Sequence, residues 1–246
     1  MPDSTLRADG RAPNQLRPLR FQNHIAPYAA GSTLVECGNT RVICGVTVEE
    51  TIPRWMKEQG VKGGWITAEY SMLPYSTLQR KQRDSAKGRI DGRSQEIQRL
   101  IGRAMRAALD LDKLGERTVW VDCDVLQADG GTRTAAITGA FVALSLAVKI
   151  LMAENKLVQS PIVSGVAAVS IGIVNGTPLL DLCYNEDVGA SVDMNLVMND
   201  VGEFIELQGT GEEATFTDSQ LADLLAIGKA GIRELLAAQE KALAQA

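Results

Sequence analysis

Apolar side chains fall at every second position across residues 118–126, with Val119, Val121, Cys123 and Val125 on one face and Asp122 and Asp124 on the other. A period of two predicts a strand. Two similar runs, 31–37 and 41–48, flank Gly38-Asn39-Thr40 and predict a hairpin, and a further strand is expected around 65–70. The period then changes. Ile97, Leu100, Ile101, Ala104 and Ala108 recur at helical spacing behind Ser94, which reads as an N-cap. A second, long apolar helix is expected over 132–153, with Ile137, Phe141, Leu144, Val148 and Leu151 on its buried stripe.

The plan then repeats. A hairpin is expected from 166–174 and 179–183 around Asn175-Gly176, followed by strands at 192–198 and 204–207. Thr217-Asp218-Ser219-Gln220 reads as a capping box opening a last helix that carries Leu221, Leu224, Leu225, Ile227 and Ile232. Each half is a set of strands followed by a helix. The fold class expected is α+β, a single unit of two pseudo-repeated halves, about 1–156 and 157–246, with 157–165 as the seam.

Composition changes this picture mainly by exclusion. No apolar run reads as long enough to span a bilayer, and the first residues lack a charged-then-apolar leader, so a cytoplasmic protein is expected. Cys37, Cys44, Cys123 and Cys183 lie far apart and read as reduced thiols. His24 is the only histidine, which removes Ser-His triads, Cys-His dyads and multi-histidine metal sites. Chemistry is left to carboxylates, arginines, backbone dipoles or a carboxylate-held metal. The net charge is −5, yet Arg80, Lys81, Arg83, Lys87, Arg89, Arg93, Arg99, Arg103 and Arg106 face only Asp84, Asp91 and Glu96 in the same stretch. A basic segment on an acidic chain is a focused field for an anionic partner. Arg99 and Arg106 read as its solvated helix face.

The strand at 118–126 runs into Gly130-Gly131 and then directly into the long helix. Two glycines permit a sharp turn, and the first helical amides then lie bare at the positive end of the dipole. Thr132 adds a hydroxyl and Arg133 a cationic fork, so the turn is a candidate phosphate seat. The alternative is a Gly-rich turn with a Thr N-cap and an exposed arginine. In the second half, Asp187 ends one strand region and Asp193 begins the next. A short connection between adjacent antiparallel strands would bring them together, to hold Mg²⁺ or to keep one carboxyl protonated as an acid. The alternative is a polar loop with one carboxylate in water. Asp122 and Asp124, in a central strand, are expected to be paired structurally.

Two runs, from Lys87-Gly88-Arg89-Ile90-Asp91-Gly92-Arg93 to Arg103 and from Asp122-Cys123-Asp124 to Arg133-Thr134, resemble the ribonuclease PH family. So do Gly10-Arg11-Ala12-Pro13, Gly64-Trp65-Ile66-Thr67, Val192-Asp193-Met194-Asn195 and Gln208-Gly209-Thr210, and the likeness covers nearly the whole chain. The resemblance implies a phosphorolytic 3′-to-5′ exoribonuclease that trims tRNA precursors with inorganic phosphate as co-substrate. It releases nucleoside diphosphates and runs in reverse to add nucleotides. By the same resemblance Arg93, Gly131, Thr132 and Arg133 hold phosphate, and Asp187 and Asp193 are catalytic and hold Mg²⁺. Arg80 and Arg83 meet the RNA. Tyr75 stands where many relatives carry arginine, and a tyrosine there can stack on a base. The family fold is a duplicated strand-rich βαβ type with a left-handed crossover, assembled as a hexameric ring of three dimers. A catalytically silent ring subunit would have lost the phosphate residues or the acids, and here all are present. A nucleotide-binding loop would end in Gly-Lys-Ser/Thr, which Gly130-Gly131-Thr132 does not.

Overall fold

The computed structural model describes residues 7–212 and 214–246. The first half contains β1 (Leu19–Asn23), β2 (Gly31–Cys37), β3 (Thr40–Glu49), α1 (Arg54–Gln59), β4 (Trp65–Met72), α2 (Asp84–Lys87), α3 (Gly92–Ala107), α4 (Leu111–Leu114), β5 (Thr118–Gln127) and α5 (Thr132–Ala153). The second contains β6 (Val166–Val174), β7 (Thr177–Leu180), α6 (Tyr184–Val188), β8 (Ala190–Asn199), β9 (Phe204–Gly211) and α7 (Asp218–Ala244). The strands form a five-stranded sheet, β1-β2-β3-β5-β4, and a four-stranded sheet, β7-β6-β8-β9. Only β4 and β5 run parallel, joined through the segment that carries α2, α3 and α4.

Burial explains the layering. Val42, Cys44, Val46, Ile66, Ala68, Val121, Cys123 and Val125 on one face of the first sheet pack with the apolar faces of α3 and α5. Val166 and Ala168 of β6 join that core, while Ala167, Val169, Ile171 and Ile173 face a second core with Leu224, Ile232 and Leu235 of α7. Because β6 is covered on both faces, it reads as a continuous apolar run rather than an alternating one. The two sheets therefore enclose α3 and α5, and α7 packs on the far side of the second sheet. Close approach needs glycine where β2 meets α5. A Cβ at Gly31 would lie 2.1 Å from the Ala143 carbonyl oxygen, and one at Gly139 would lie 2.7 Å from Val35.

Several expectations change. The N-cap of α3 is Asp91, whose carboxylate accepts the Ser94 amide at 2.7 Å; Ser94 is the third residue of the helix and buried. The helix thus begins two residues before Ser94, with Gly92 as its first residue. The strand expected over 179–183 stops at Leu180, since Asp181 adopts a left-handed φ of 56° that no strand continues. β7 and β8 are not neighbours, because β6 lies between them. α5 has the length and composition of a membrane span, with a mean hydropathy of 2.0, contrary to expectation; 83% of that window is buried between the sheets, which accounts for its apolarity. Arg106 is not a freely solvated side chain, because its guanidinium lies 4.8 Å from the Trp65 ring centroid and donates to the Ile66 carbonyl.

Candidate active site

The site forms where β5 hands over to α5. Gly130 and Gly131 have φ of 75° and 62°, the left-handed region that favours glycine. At Gly130 a side chain is also excluded sterically, since a Cβ would lie 2.5 Å from the Leu182 carbonyl oxygen. Gly131 is the N-cap of α5 and no side chain caps it, so the amides at the start of a 22-residue helix keep their anion-binding potential. Thr132 is not the cap of the alternative reading. It is buried, and its hydroxyl is 2.8 Å from that of Tyr70 on β4. Arg133 is not an exposed arginine either, for only 13% of its side chain is accessible. Arg93 lies in the first turn of α3, exposed and without an ion pair or hydrogen bond among the described residues.

The acids arrive from the second sheet. The period of β8 turns Val192, Met194 and Leu196 toward α7 and leaves Asp193 and Asn195 on the face that looks toward α5. Asp187 comes from α6, a short helix between β7 and β8, rather than from a direct strand connection. Glu186 secures this helix by accepting the Cys183 amide at 2.9 Å and pairing with Arg7. The Tyr184 amide donates to Asp129 at 3.2 Å, which ties α6 to the glycine turn.

The electrostatics show which residues share the site. Burial pushes the Asp193 carboxyl up to about 6, reinforced by Asp187 and Glu212 and opposed by Arg133 and Arg93. Burial likewise raises Asp187, against the pull of Arg93 and Arg133. The Tyr70 hydroxyl is raised by burial and lowered by Thr132, Arg93 and Arg133. Five of the expected residues, Arg93, Thr132, Arg133, Asp187 and Asp193, thus meet around the start of α5, on the turn made by Gly131. Arg80 and Arg83 stand apart, exposed in the segment after β4, where Arg83 is the N-cap of α2. Tyr75 is 69% exposed in the same segment. Among the described residues no three His, Cys, Asp or Glu side chains are grouped to hold a metal. Two carboxylates completed by phosphate oxygens and water are nevertheless a normal Mg²⁺ set, and the repulsion that Asp187 exerts on Asp193 fits one.

Asp122 and Asp124 do not find the partners expected of them. Neither forms an ion pair within 4 Å among the described residues, and burial raises both carboxyls, Asp122 further through Asp124. Arg83 opposes the shift at Asp124. Their strand is central, but these two side chains point away from the core, Asp122 exposed and Asp124 partly so, and they tolerate the absence of a partner.

Sequence reasoning missed the supports. Arg17 is buried and pairs with Asp181 through two hydrogen bonds, at 2.7 and 3.0 Å, and also donates to the Asp129 carbonyl. Burial alone would raise the Asp181 carboxyl, but Arg17 and then Arg11 hold it below the usual range. Thr40 donates to the Gly130 carbonyl at 2.7 Å and accepts the Asp129 amide at 3.0 Å. The glycine turn is thus held from β3 and from the segment before β1. Glu96 and Gln208, which touch Arg133, were also missed.

Known proteins agree with this layout. Profiles of the 3′ exoribonuclease family match residues 15–149 as its domain 1 and residues 165–231 as its domain 2. The ribonuclease PH of Corynebacterium efficiens is 54% identical over 240 residues, covering 98% of this chain and 97% of its own. That of Exiguobacterium sibiricum is 53% identical over 238 residues, covering 97% and 94%. Among solved structures, rice (Oryza sativa) Rrp46 has a TM-score of 0.77 at 22% identity, over 96% of this chain and 100% of its own. The Archaeoglobus fulgidus exosome with RNA bound to the active site gives 0.78 at 22% identity, over 94% and 91%. Those two bear on the fold alone; the family matches and the identity of more than half to curated relatives over nearly the whole chain go further, and by them the chain belongs to the ribonuclease PH family of 3′ exoribonucleases.

Proposed function

We propose that this phosphorolytic 3′-to-5′ exoribonuclease, which processes tRNA 3′ ends, binds inorganic phosphate with Arg93, Gly131, Thr132 and Arg133. An oxygen of that phosphate attacks the last phosphodiester of the RNA. The bond to the upstream 3′ oxygen breaks, a nucleoside diphosphate leaves, and the shortened RNA keeps a 3′ hydroxyl. Two anions must be brought together, so the site needs cations and amide dipoles in a partly dehydrated setting. The departing oxygen needs a proton, and Asp193, with its carboxyl pushed up to about 6, is the group able to hold one close to neutral pH. Mg²⁺, where bound, would be held by Asp187 and Asp193 as an ionised pair in place of the proton on Asp193, and would supply the neutralisation of developing negative charge instead. Arg80 and Arg83 bind the RNA backbone beyond the site, with Tyr75 beside them able to stack on a base.

The observation that carries this reading is the convergence of two arginines and two acids on the uncapped start of α5. Its test is Asp193→Asn, which keeps shape and removes the charge. The variant should fold and still bind phosphate and RNA, while trimming and the reverse polymerisation both slow by roughly a hundredfold or more. Trimming at the parental rate would remove the acids from the chemistry. We further propose a single catalytic unit of two related halves, about 1–156 and 157–246, working in the cytoplasm as a hexameric ring of three dimers. Tyr28, Leu78 and Val158, fully exposed here, would find cover in such an assembly.

A further inference from the structure

Arg133 is tethered from two directions. Its Nη1 donates to the side-chain oxygen of Gln208 at 2.7 Å and to that of Glu96 at 3.2 Å. Gln208 Nε2 donates in turn to the same Glu96 oxygen at 2.8 Å. The triangle joins α5, α3 and β9, and so spans the two sheets' layers. Nη1 carries two hydrogens, and both are occupied. Nε and Nη2 make up another edge of the guanidinium, and neither has a hydrogen-bond partner among the described residues or is sealed from solvent. That edge is a two-donor fork of the kind that matches two phosphate oxygens.

We infer that Glu96 and Gln208 are positioning residues, which pin Nη1 so that the Nε–Nη2 edge of Arg133 is presented to the attacking phosphate. An untethered arginine loses rotamer freedom when it grips an anion, and a tethered one has lost it already. Glutamine at 208 suits the task because it accepts from Arg133 and donates to Glu96 at once. Glutamate there would set two carboxylates against each other, and an apolar residue would leave both neighbours unpaired. Gln208 lies on the edge strand β9, whose same face carries Glu206, paired to Arg103 of α3 at 2.7 Å. The Arg103–Glu206 pair docks β9 on α3 without touching Arg133, so the orientation of Arg133 depends on the side-chain contacts of Gln208 and Glu96 themselves.

This rests on the phosphate role given to Arg133, and the test separates the two. Inorganic phosphate is titrated in a thermal-shift assay and in phosphorolysis of a short oligonucleotide, using the parental protein, Gln208→Met, Gln208→Asn and Arg103→Met. Met keeps the bulk without the hydrogen bonds, and Asn keeps the amide but cannot reach. Both Gln208 variants should need roughly tenfold more phosphate for half-maximal stabilisation and rate, with kcat at saturating phosphate and the phosphate-free Tm unchanged. Arg103→Met, which cuts the neighbouring α3–β9 pair, should leave the phosphate requirement unchanged. Parental phosphate dependence in the Gln208 variants would overturn the positioning role while leaving the phosphate site intact. An equal rise in Arg103→Met would reduce Gln208 to a docking contact. A parental protein that phosphate neither stabilises nor activates would overturn the phosphate site itself.

Discussion

Asp193 is placed in the fold at a cost that depends on pH. Its carboxyl is pushed up to about 6, above the ordinary 3.8, first by burial and then by Asp187. A raised value in the folded state means that folding favours the neutral form. The cost of ionising is therefore absent below pH 4, grows as pH rises toward 6, and is fully present above it. Asp193→Asn removes that cost, so the variant should be more stable than the parent at pH 7.5 and nearly equal to it at pH 4. The group is partly exposed, and solvent screening holds the effect to about 1–2 kcal/mol, or a few degrees in Tm for a chain of this size. Denaturant or thermal unfolding at the two pH values checks this, and an unchanged difference between them would mean Asp193 ionises normally. A less active variant that is more stable would also mark the acid as kept for chemistry.

The basic segment acts as an element rather than residue by residue. Arg80 and Arg83 are exposed and unpaired among the described residues, whereas Lys81 is held at 2.9 Å by Asp91, the cap of α3. Replacing Arg80 and Arg83 with alanine should weaken binding of a full tRNA precursor and lower the salt slope by about two. A dinucleotide, too short to reach them, should be cleaved at nearly the parental rate. Equal loss on both substrates would place these arginines in the active site. The elements themselves were largely legible from the chain. Period-two alternation gave β5 and the faces of β8, and the capping box at Thr217 gave the start of α7, where Thr217 does accept the Gln220 amide. What escaped was set by distant partners. Asp181 ends β7 because its carboxylate answers Arg17, 164 residues earlier, and no local pattern announces that pairing. Glu96 and Gln208 likewise read as ordinary surface residues until the two sheets bring them onto Arg133. The glycine turn was visible because its cause is local, two glycines before a helix; the side chains that hold Arg133 beside it were not.

At the scale of the whole molecule, the two sheets divide the work between cation and acid. The first supplies the helix start, Thr132 and the arginines; the second supplies Asp187 and Asp193 on α6 and β8. The long apolar α5 joins them, which explains why a helix with the composition of a membrane span lies in the core of this enzyme. The absence of any useful histidine follows naturally, since arginines, amides and carboxylates suffice for phosphorolysis. The most direct measurement incubates the protein with a 3′-extended tRNA and ³²P-labelled inorganic phosphate, then separates the released nucleotides. If phosphate bound at the start of α5 is the attacking group, the label appears as the β-phosphate of nucleoside diphosphates, and no trimming occurs without phosphate. Unlabelled nucleoside monophosphates, released whether or not phosphate is present, would show that water attacks instead and would contradict the phosphate site.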